Sequence, residues 1–549
     1  MLNFIELFLF IFSCIITTTV YYILGKLFLT ENKNNFYDRL IFGVIIASFI
    51  SLSLNFILPL SRELNTVFQI LIIGIFFIIY KKKIYFSEIK KIIIISLSIL
   101  ILIAFDTENR PDAYLYHLPY SQILNDYKII TGISNLHFRF GHTSIFQYLS
   151  SFNYTIFSEL NGLLVPPALF CITIFLYFLD DLLSIFKDKK KISFGKLFSF
   201  LIFTYISLRI NRYSEFGNDA MSHLTVFYLV SKFIYLKNYR LTDYKKILLL
   251  CIFSFLNKSF LIFTFIIPAY IFFKNKLNIK KSIINFPTLM LLFWIIKNIL
   301  ISGCAIYPVK ITCLSGLKWV NIQEVSYEAT KAEAWAKGWP EREKKNITHS
   351  DFNKQFNWIK AWKKDHLYVF LKNLIPFLTF IFLLFIFFRD KEVSVKLDNQ
   401  KKFILLLFSS IGTIYFFLKF PLYRYGYSYL IVLISVLFLQ SFIKINSKKF
   451  LKLTKIFIIF CIIGIFLKQG QRIQEYYQVR TLIPSDRSLI AINQENIEKI
   501  QLSKNFYYYK TNNQGSSECK YFKSPCTNIK LHNIYHKKIG SYDLIFKNY

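Results

Sequence analysis

The residues best suited to chemistry lie in one polar stretch directly after a long apolar run. The stretch contains the carboxylates Asp106, Glu108 and Asp112, followed closely by Tyr116 and His117. Such a cluster is unusual in a chain with 67 Lys and Arg against 32 Asp and Glu. A carboxylate can take a proton from a reacting hydroxyl, and the alternative is a polar collar without chemistry. We predict that Asp112 and His117 are catalytic and that Asp106, Glu108 and Tyr116 bind substrate.

The spacing of these residues predicts that some of them share a face. If the stretch is helical, Tyr116 lies on the side of Asp112 and His117 lies on the flank. Arg139 and His142 follow in an aromatic segment, and we expect them to bind substrate in the same cavity. The alternative for this region is a pair of amphipathic helices in the membrane interface, which would explain its geometry and leave its function open.

A second acid, Asp219, stands where a later apolar run begins. A carboxylate in the first turn of a helix can cap open backbone amides and complement the helix dipole. The same carboxylate could act on a substrate as a catalytic or orienting group. The sequence leaves both interpretations open, and Asp219 joins the candidate catalytic residues.

Two cations, Lys258 and Arg424, are flanked by apolar residues. A lysine at membrane depth costs roughly 2.5–3.5 kcal/mol on insertion scales, so it usually has an anionic partner. A lipid-linked phosphate would serve, and we predict that both cations bind substrate. The alternative for Lys258 is a side chain that extends to the lipid headgroups. Lys297 is placed similarly.

The elements that must position these residues are apolar helices. Of the 549 residues, 54% are hydrophobic and 19% are aromatic, and the mean hydropathy is +0.42. This composition excludes an ordinary soluble protein. Because about 20 helical residues cross a bilayer, the apolar runs predict an all-α polytopic membrane protein with about fourteen transmembrane helices. The predicted spans are Asn3–Ile23, Leu40–Leu60, Thr66–Tyr80, Ile92–Phe105, Gly162–Leu179, Phe194–Leu208, Ala220–Leu236, Lys246–Leu256, Phe260–Phe273, Phe286–Ile301, Leu367–Phe388, Phe403–Leu418, Gly426–Ile443 and Ile456–Leu467.

Lysine clusters between the spans predict the topology. Positive residues collect on the cytoplasmic side of a membrane, which explains the net charge of +35 without nucleic-acid binding. If successive loops alternate between the two sides of the membrane, the chain must cross twice between Lys246 and Phe273, with an outward turn at Lys258. The cytoplasmic clusters are Lys81–Lys83, Lys90–Lys91, Lys187–Lys191, Lys237–Lys246, Lys274–Lys281, Lys401–Lys402 and Lys444–Lys455.

Three large segments fall on the extracytoplasmic side in this topology: Asp106–Asn161, Ser302–His366 and everything after about Lys468. The amino terminus falls on the same side. The chain then divides into regions that follow the spans. They are 1–91 with spans one to three, 92–301 as a membrane core that includes the acidic outer loop 106–161, 302–366 as a Trp-rich outer loop, 367–468 with the last spans, and 469–549 as a small extracytoplasmic segment.

The cysteines test this topology independently. Two close pairs, Cys304 with Cys313 and Cys519 with Cys526, fall in segments already assigned to the oxidising compartment, so we predict disulfides. A four-cysteine zinc site is the alternative, although the chain lacks a CxxC spacing.

The Trp-rich loop allows interfacial anchoring or stacking on a sugar ring. Its tryptophans are Trp319, Trp335, Trp339, Trp358 and Trp362.

Several residue groups are distributed along most of the chain from Ile92 onward. They are Asp112-Ala113, Tyr116-His117-Leu118-Pro119, Asn135-Leu136-His137, Arg139-Phe140-Gly141, Trp294, Lys297-Asn298, Ser302-Gly303, Tyr307-Pro308, Trp335-Ala336, Arg424, and Cys519 with Pro525-Cys526-Thr527. Together these groups resemble a family of bacterial multi-span membrane proteins whose members look like GT-C glycosyltransferases. The resemblance implies a GT-C-like core in spans four to ten.

The resemblance also implies roles for the acids. Asp112 occupies the position of the leading aspartate of the GT-C acidic motif and would be the general base, while Asp219 resembles the second acid. Ala113 follows Asp112 where many relatives carry glutamate, and four spans precede the acidic loop where those enzymes usually have one. A requirement for a divalent cation therefore stays open.

The implied reaction takes place at the outer face of a bacterial inner membrane. A sugar would move, with inversion, from a polyprenyl-phosphate donor to a glycan or lipid acceptor of the cell envelope. Lys258 and Arg424 would offset the charge that builds on the departing phosphate. One alternative is a transporter or flippase for lipid-linked sugars, which should carry ionisable groups near the midplane in broken helices. Another is an O-antigen polymerase or ligase, which would use residues such as His349 and His366.

Overall fold

The protein is described from a computed structural model. It covers residues 4–29, 35–78, 84–104, 112–188, 192–213, 216–217, 219–278, 285–339, 347–387, 397–441, 447–476, 497–511, 519, 524–529 and 531–547. Within these ranges the chain is mostly helical, and a small β-sheet region lies near the carboxy terminus.

The α-helices of the described residues follow the predicted spans with additions in the loops. They are α1 Phe4–Phe28, α2 Phe36–Asn55, α3 Arg62–Ile78, α4 Phe86–Ile103, α5 Leu118–Asp126, α6 Ile145–Ser151, α7 Val165–Asp188, α8 Phe194–Leu208, α9 Asp219–Tyr235, α10 Leu241–Asn257, α11 Ile266–Lys274, α12 Phe286–Ser302, α13 Ile322–Ala336, α14 His349–Asn353, α15 Ile359–Asp365, α16 Leu367–Phe387, α17 Asn399–Lys419, α18 Tyr423–Ser441 and α19 Ser447–Tyr476. A 3₁₀ run, Ser259–Phe265, joins α10 to α11.

Six of the described helices are long and apolar enough to cross a membrane. They are Phe4–Phe28, Phe36–Asn55, Glu159–Phe186, Leu367–Ile386, Asn399–Lys419 and Phe450–Glu475. Others, such as α8 and α12, are apolar but shorter. Helices α16 and α19 expose apolar side chains such as Phe382 and Phe460. An exposed apolar surface of this extent belongs in lipid, and the chain is therefore a membrane protein.

The lysine-rich helix ends meet at one end of the bundle. At the start of α4, Glu88 binds Lys26 from the end of α1 at 3.0 Å and Arg39 from α2 at 3.3 Å. Asn35 caps α2 by accepting a hydrogen bond from the backbone amide of Asp38 at 2.7 Å. These contacts place the start of α2 beside the start of α4 and the end of α1.

Further contacts add α9 and α17 to the same end. Asp38 binds Lys232 near the end of α9 at 2.6 Å. Lys401, near the start of α17, donates to the carbonyl of Ile234 at 3.1 Å. A cation at a helix carboxy terminus satisfies open carbonyls and complements the helix dipole.

The opposite helix ends also converge. Lys468 on α19 donates to the carbonyl of Leu208 at the end of α8, at 3.1 Å. Arg472 donates to the carbonyl of Leu102 at the end of α4, at 2.6 Å. The carboxy-terminal ends of α4 and α8 thus lie together at the end of the bundle away from the lysine clusters.

The described part of the segment before α7, residues 112–164, folds into the protein and does not lie as a helix pair in the membrane interface. All seven residues of α6 are buried. The turn Ala113–His117 is a π-helix, in which the amide of Leu118 donates to the carbonyl of Ala113. A π-turn inserts one residue into a helix and rotates the side chains that follow it. It therefore changes which residues share a face with Asp112.

The carboxy-terminal segment corrects the all-α prediction. Its strands are β1 Ile497–Ser503, β2 Phe506–Thr511, β3 Cys526–Thr527, β4 Ile534–Ile539 and β5 Tyr542–Lys547. Strand β2 pairs antiparallel with β1 and parallel with β3, and β4 pairs antiparallel with β5. The aromatic and β-branched content of β2 favours a strand, and its two ends are buried. Leu544 pairs with Thr131 of the loop before α6, which attaches this sheet region to the membrane domain.

Both predicted disulfides are confirmed. Cys304 is bonded to Cys313, and Cys519 is bonded to Cys526. The first bond closes a loop directly after α12. Gly303 caps the end of this helix with a φ of 75°, a conformation that favours glycine. The zinc alternative is therefore wrong for these cysteines.

Three tryptophans of the predicted Trp-rich loop pack together and form a small core of their own. Trp339, Trp358 and Trp362 are buried with Phe352. The indole of Trp362 donates to the carbonyl of Pro421 at 2.7 Å, which ties this loop to the turn before α18. Packing thus explains these three tryptophans without a bound sugar.

Candidate functional site

A cavity lies where the starts of α9 and α18 meet the turn Ala113–His117. Its volume is about 100 Å³, which leaves room for several water molecules or one small anionic group. It is lined by Asp112, Ala113, Tyr116, His117, Arg209, Tyr213, Phe216, Gly217, Asp219, Ala220, Arg424, Tyr425 and Tyr427.

The structure brings five predicted site residues together in this cavity: Asp112, Tyr116, His117, Asp219 and Arg424. They come from three regions far apart in the sequence, and each stands at the end of a helix. Helix ends offer side chains and open backbone groups to a common space while the helix bodies hold them in place.

The first charged contact joins the polar turn to α18. Arg424 binds the carboxylate of Asp112 at 2.9 Å. Both side chains remain about one-third exposed, at 31% for Arg424 and 35% for Asp112. This pair therefore stays accessible to a ligand that enters the cavity.

The second contact joins α9 to the turn after α10. Lys258 forms an ion pair with Asp219 and donates to the backbone carbonyl of Arg424 at 3.1 Å. Its ammonium also lies 4.2 Å from the ring centroid of Tyr425. Only 8% of Lys258 is exposed, which contradicts a side chain that extends to lipid headgroups. A buried lysine held in this way has the anionic partner that its position requires.

The two ion pairs form one network. Arg424 contributes its side chain to Asp112 and its carbonyl to Lys258, and that carbonyl also lies 3.0 Å from Nε2 of His223. The network contains two negative and two positive groups and is neutral as a whole. Removing Asp219 would leave the buried ammonium of Lys258 without its anionic partner, which is costly in a low-dielectric site.

Electrostatics keep Asp112 ionised. Burial would raise the pKa of this carboxyl, but the Arg424 guanidinium, followed by His117 and Arg139, outweighs burial and lowers it below its ordinary value. At neutral pH Asp112 is a carboxylate that accepts hydrogen bonds. Its proton affinity depends on where Arg424 points, because the ion pair is the main cause that lowers the pKa.

His117 lies in the cavity because of the π-turn. Burial lowers the pKa of His117 to about 4, so its ring is neutral at pH 7. Gln147 accepts the amide of Ser144 at 2.8 Å through Oε1, so its amide nitrogen donates to Nδ1 of His117 at 3.3 Å. In this tautomer Nε2 of His117 carries the hydrogen and can donate a hydrogen bond.

Arg139 and His142 lie behind the cavity wall. The guanidinium of Arg139 lies 5.6 Å from the ring centroid of Tyr116, and His142 contacts Tyr307 at 5.0 Å between ring centroids. Burial lowers the pKa of His142 to about 3, and Nε2 of this residue is buried without a hydrogen-bond partner among the described residues. Arg139 therefore supports the wall that Tyr116 presents to the cavity, whereas His142 packs against Tyr307.

Sequence reasoning missed several residues of the cavity. Arg209 directly follows an apolar run, and the lining tyrosines lie in a chain that is 19% aromatic, so neither stands out in the sequence. A basic residue on the side opposite the lysine clusters is the signal that could have identified Arg209. The lining residues missed are Arg209, Tyr213, Tyr425 and Tyr427.

Lys297 belongs elsewhere in the protein. It is fully buried on α12 and donates to Thr143 at 2.5 Å and to Asn298 at 2.6 Å. Its ammonium lies 3.2 Å from the ring centroid of Trp294. These contacts fasten α12 to the segment before α6.

Two predicted binding residues, Asp106 and Glu108, lie outside the described residues. Among the residues that the structure covers, no three His, Cys, Asp or Glu side chains gather as a metal-binding group. Asp112 and Asp219 are each held by a cationic side chain, so these two carboxylates do not fit a divalent cation as they stand.

Residues 1–431 match a protein-family model described as a domain of unknown function, DUF8201. The chain belongs to this family. No curated protein and no solved structure matches the chain. The DUF8201 region includes Asp112, Asp219, Lys258 and Arg424 and ends within α18. The charged network of the cavity therefore lies wholly within the family's domain, whereas α19 and the β-sheet region follow it.

Proposed function

We propose that this protein is a membrane glycosyltransferase that moves a sugar from a polyprenyl-phosphate donor to a glycan or lipid acceptor of the cell envelope. The observation that carries the proposal is the network of Asp112, Arg424, Lys258 and Asp219 at one cavity. It supplies a carboxylate to accept a proton and cations to stabilise a departing phosphate.

The reaction begins with an acceptor hydroxyl beside Asp112. The hydroxyl oxygen attacks the anomeric carbon and forms the new carbon–oxygen bond, while the bond between that carbon and the phosphate oxygen breaks. The bonding electrons leave with the lipid phosphate, and the hydroxyl proton passes to Asp112. Attack opposite the leaving group inverts the anomeric centre.

Arg424 links the departure of the lipid phosphate to the transfer of the hydroxyl proton. A bound phosphate competes with Asp112 for the Arg424 guanidinium, since guanidinium binds phosphate and carboxylate in the same geometry. When Arg424 turns toward the phosphate, Asp112 loses the charge that lowers its pKa and becomes a better base. Asp219 keeps Lys258 in place, and the neutral ring of His117 can orient a hydroxyl.

The proposed topology has fourteen crossings in a bacterial inner membrane. They are α1 to α4, α7 to α10, the run Ser259–Lys274, α12, and α16 to α19. The separation of lysine-rich ends from the cavity end supports this alternation, and the positive-inside tendency then places the cavity on the extracytoplasmic side. The two disulfides, which belong in an oxidising compartment, support the same orientation. The crossings from α4 to α12 correspond to a GT-C-like core.

A transporter for lipid-linked sugars is the second candidate. One observation favours it: the chain leaves α-helical geometry at Lys258, beside the cavity, and continues as a 3₁₀ run to Phe265. Interrupted helices at ionisable residues are typical of transporter binding sites. A transporter would move the donor without breaking the bond between sugar and phosphate.

The substitution Asp112→Asn tests the proposed function in the cell that makes the protein. We expect cell-envelope glycan to fall at least 100-fold with normal protein level, because the amide cannot take the hydroxyl proton. Asp243→Asn is the matched control, since Asp243 pairs with Arg240 on the helix end away from the cavity. Normal glycan from an abundant Asp112→Asn protein would overturn the assignment. If Asp112→Asn lowers the protein level, the amount of glycan is compared between the Asp112→Asn and Asp112→Glu proteins at equal protein, because Asp112→Glu keeps the charge.

A further inference from the structure

Arg209 is a cavity cation that forms no ion pair with any described carboxylate. It follows α8 and lines the cavity beside Tyr427. Its guanidinium donates to the amide oxygen of Asn373 on α16 and lies 5.3 Å from the ring centroid of Tyr423. Amide and aromatic partners orient a guanidinium without neutralising its charge.

A second cation stands beside Arg209. Lys468 on α19 donates to the carbonyl of Leu208, the residue before Arg209, at 3.1 Å. The charges of Lys468 and Arg209 are close enough to affect each other. Within the described ranges Lys468 also forms no ion pair with a carboxylate. Two like charges at a partly buried position cost free energy, and a bound anion would remove that cost.

These cations lie at the border of the apolar outer surface. Asn373 and Lys468 stand on α16 and α19, and both helices pack against α8 through aromatic contacts of Phe200 with Phe380 and Phe457. The neighbouring exposed side chains are Leu371 and Ile375 on α16 and Phe466 and Leu467 on α19. A ligand that combines a phosphate with a long apolar chain fits this juxtaposition.

We propose that Arg209 and Lys468 form a subsite for the phosphate of an isoprenoid lipid, which enters from the side of α16 and α19. The subsite rests on the proposed function, because that function requires a lipid phosphate at this cavity. The subsite also gives the cations of the cavity different roles. Arg424 and Lys258 are held by carboxylates before substrate arrives, so Arg209 is the cation that first receives the anion.

Binding to the purified full-length protein in nanodiscs tests the subsite. The probe is farnesyl phosphate, and its dissociation constant is measured by native mass spectrometry. Farnesol tests the contribution of the tail alone, inorganic phosphate tests the free ion, and phosphatidylglycerol tests an ordinary lipid headgroup. We expect Arg209→Gln to weaken farnesyl phosphate binding at least tenfold, and Lys468→Gln to weaken it about threefold or more.

Two further variants complete the comparison. Asn373→Ala keeps the charge of Arg209 but removes its amide partner, and we expect severalfold weaker binding. Arg240→Gln changes an exposed arginine at the lysine-rich end, and we expect unchanged binding. If Arg209→Gln does not yield folded protein, Lys468→Gln and Asn373→Ala decide the question.

Several results would overturn the subsite. The first is that the wild type does not bind farnesyl phosphate. The second is that the substituted proteins bind farnesyl phosphate within twofold of the wild type. The third is that farnesol binds as tightly as farnesyl phosphate. Equal, Arg209-dependent binding of inorganic phosphate or phosphatidylglycerol would overturn its preference for an isoprenoid lipid. No sugar is transferred in this measurement. A protein that binds farnesyl phosphate through Arg209 but transfers no sugar would keep the subsite and lose the proposed function.

Discussion

The two ends of the helix bundle both contain ion pairs, but they use them differently. At the lysine-rich end, the Asp38 side chain is 9% exposed and binds Lys232 at 2.6 Å and the hydroxyl of Tyr228 at 2.5 Å. At the cavity end, the Asp112 side chain is 35% exposed and binds Arg424. Both pairs join helices that are distant in sequence, and the second also faces an open space.

We infer from this difference that the Asp38 pair is structural and that the Asp112 pair serves the proposed function. A carboxylate that is buried and saturated with partners holds helices together and cannot reach a substrate. A carboxylate with one cationic partner and an open side can exchange that partner for a ligand. We therefore expect substitutions at the lysine-rich end to change stability and substitutions at the cavity end to change activity.

After the loss expected for Asp112→Asn, the largest effect in this comparison is expected at the second acid of the cavity. Asp219→Asn removes the ion-pair partner of Lys258, and we expect glycan transfer per folded protein to fall about 10–100-fold because Lys258 is no longer held beside Arg424. Activity is measured with the Asp219→Asn protein at matched concentration. Activity within twofold of wild type would return Asp219 to a helix-capping role.

The matching substitution at the other end is Asp38→Asn. Removing one partner of a buried pair leaves Lys232 uncompensated, which costs about 3–5 kcal/mol. We expect a lower midpoint of thermal unfolding in detergent and a lower yield, with activity per folded molecule unchanged. A stable Asp38→Asn protein with lost activity would erase the distinction between the two ends.

The smallest expected effect concerns acid stability at the cavity end. The pKa of buried His142 is lowered to about 3, whereas an unfolded histidine titrates near 6.5. Protons then bind the unfolded chain first, so this stabilisation is complete above about pH 6.5 and is lost as the pH falls toward 3. We expect His142→Phe to reduce the loss of thermal stability between pH 7 and pH 5. An identical loss in both proteins would contradict the burial argument.

The sequence predicted the members of the cavity better than their pairing. Asp112, Asp219, Lys258 and Arg424 could be selected because acids are scarce and because these cations interrupt apolar runs. Which acid meets which cation depends on helix packing, and no local pattern encodes it. Arg209 was missed because a cation at the end of a span resembles a topological charge.

The remaining differences have local causes. The face on which His117 lies depends on the π-turn, whose extra residue shifts the helical period and leaves no sequence pattern that an α-helical template detects. The β-sheet region was missed because its strands are short and follow the last span, where apolar periodicity gave no signal. The tryptophans of 302–366 allowed either interfacial anchoring or stacking on a sugar ring, whereas three of them are buried in one hydrophobic cluster.

The proposed transferase breaks the bond between a sugar and a lipid phosphate at this cavity. The most direct test places purified wild-type and Asp112→Asn proteins in nanodiscs with lipids extracted from the source cells and an acceptor fraction. Sugar-linked polyprenyl phosphate and free polyprenyl phosphate are then measured by mass spectrometry. We expect the wild type to convert the first into the second and Asp112→Asn to leave it intact. Sugar-linked lipid that stays intact with the wild type would contradict the transferase, and its movement across the bilayer of sealed proteoliposomes, measured separately, would establish the transporter in its place.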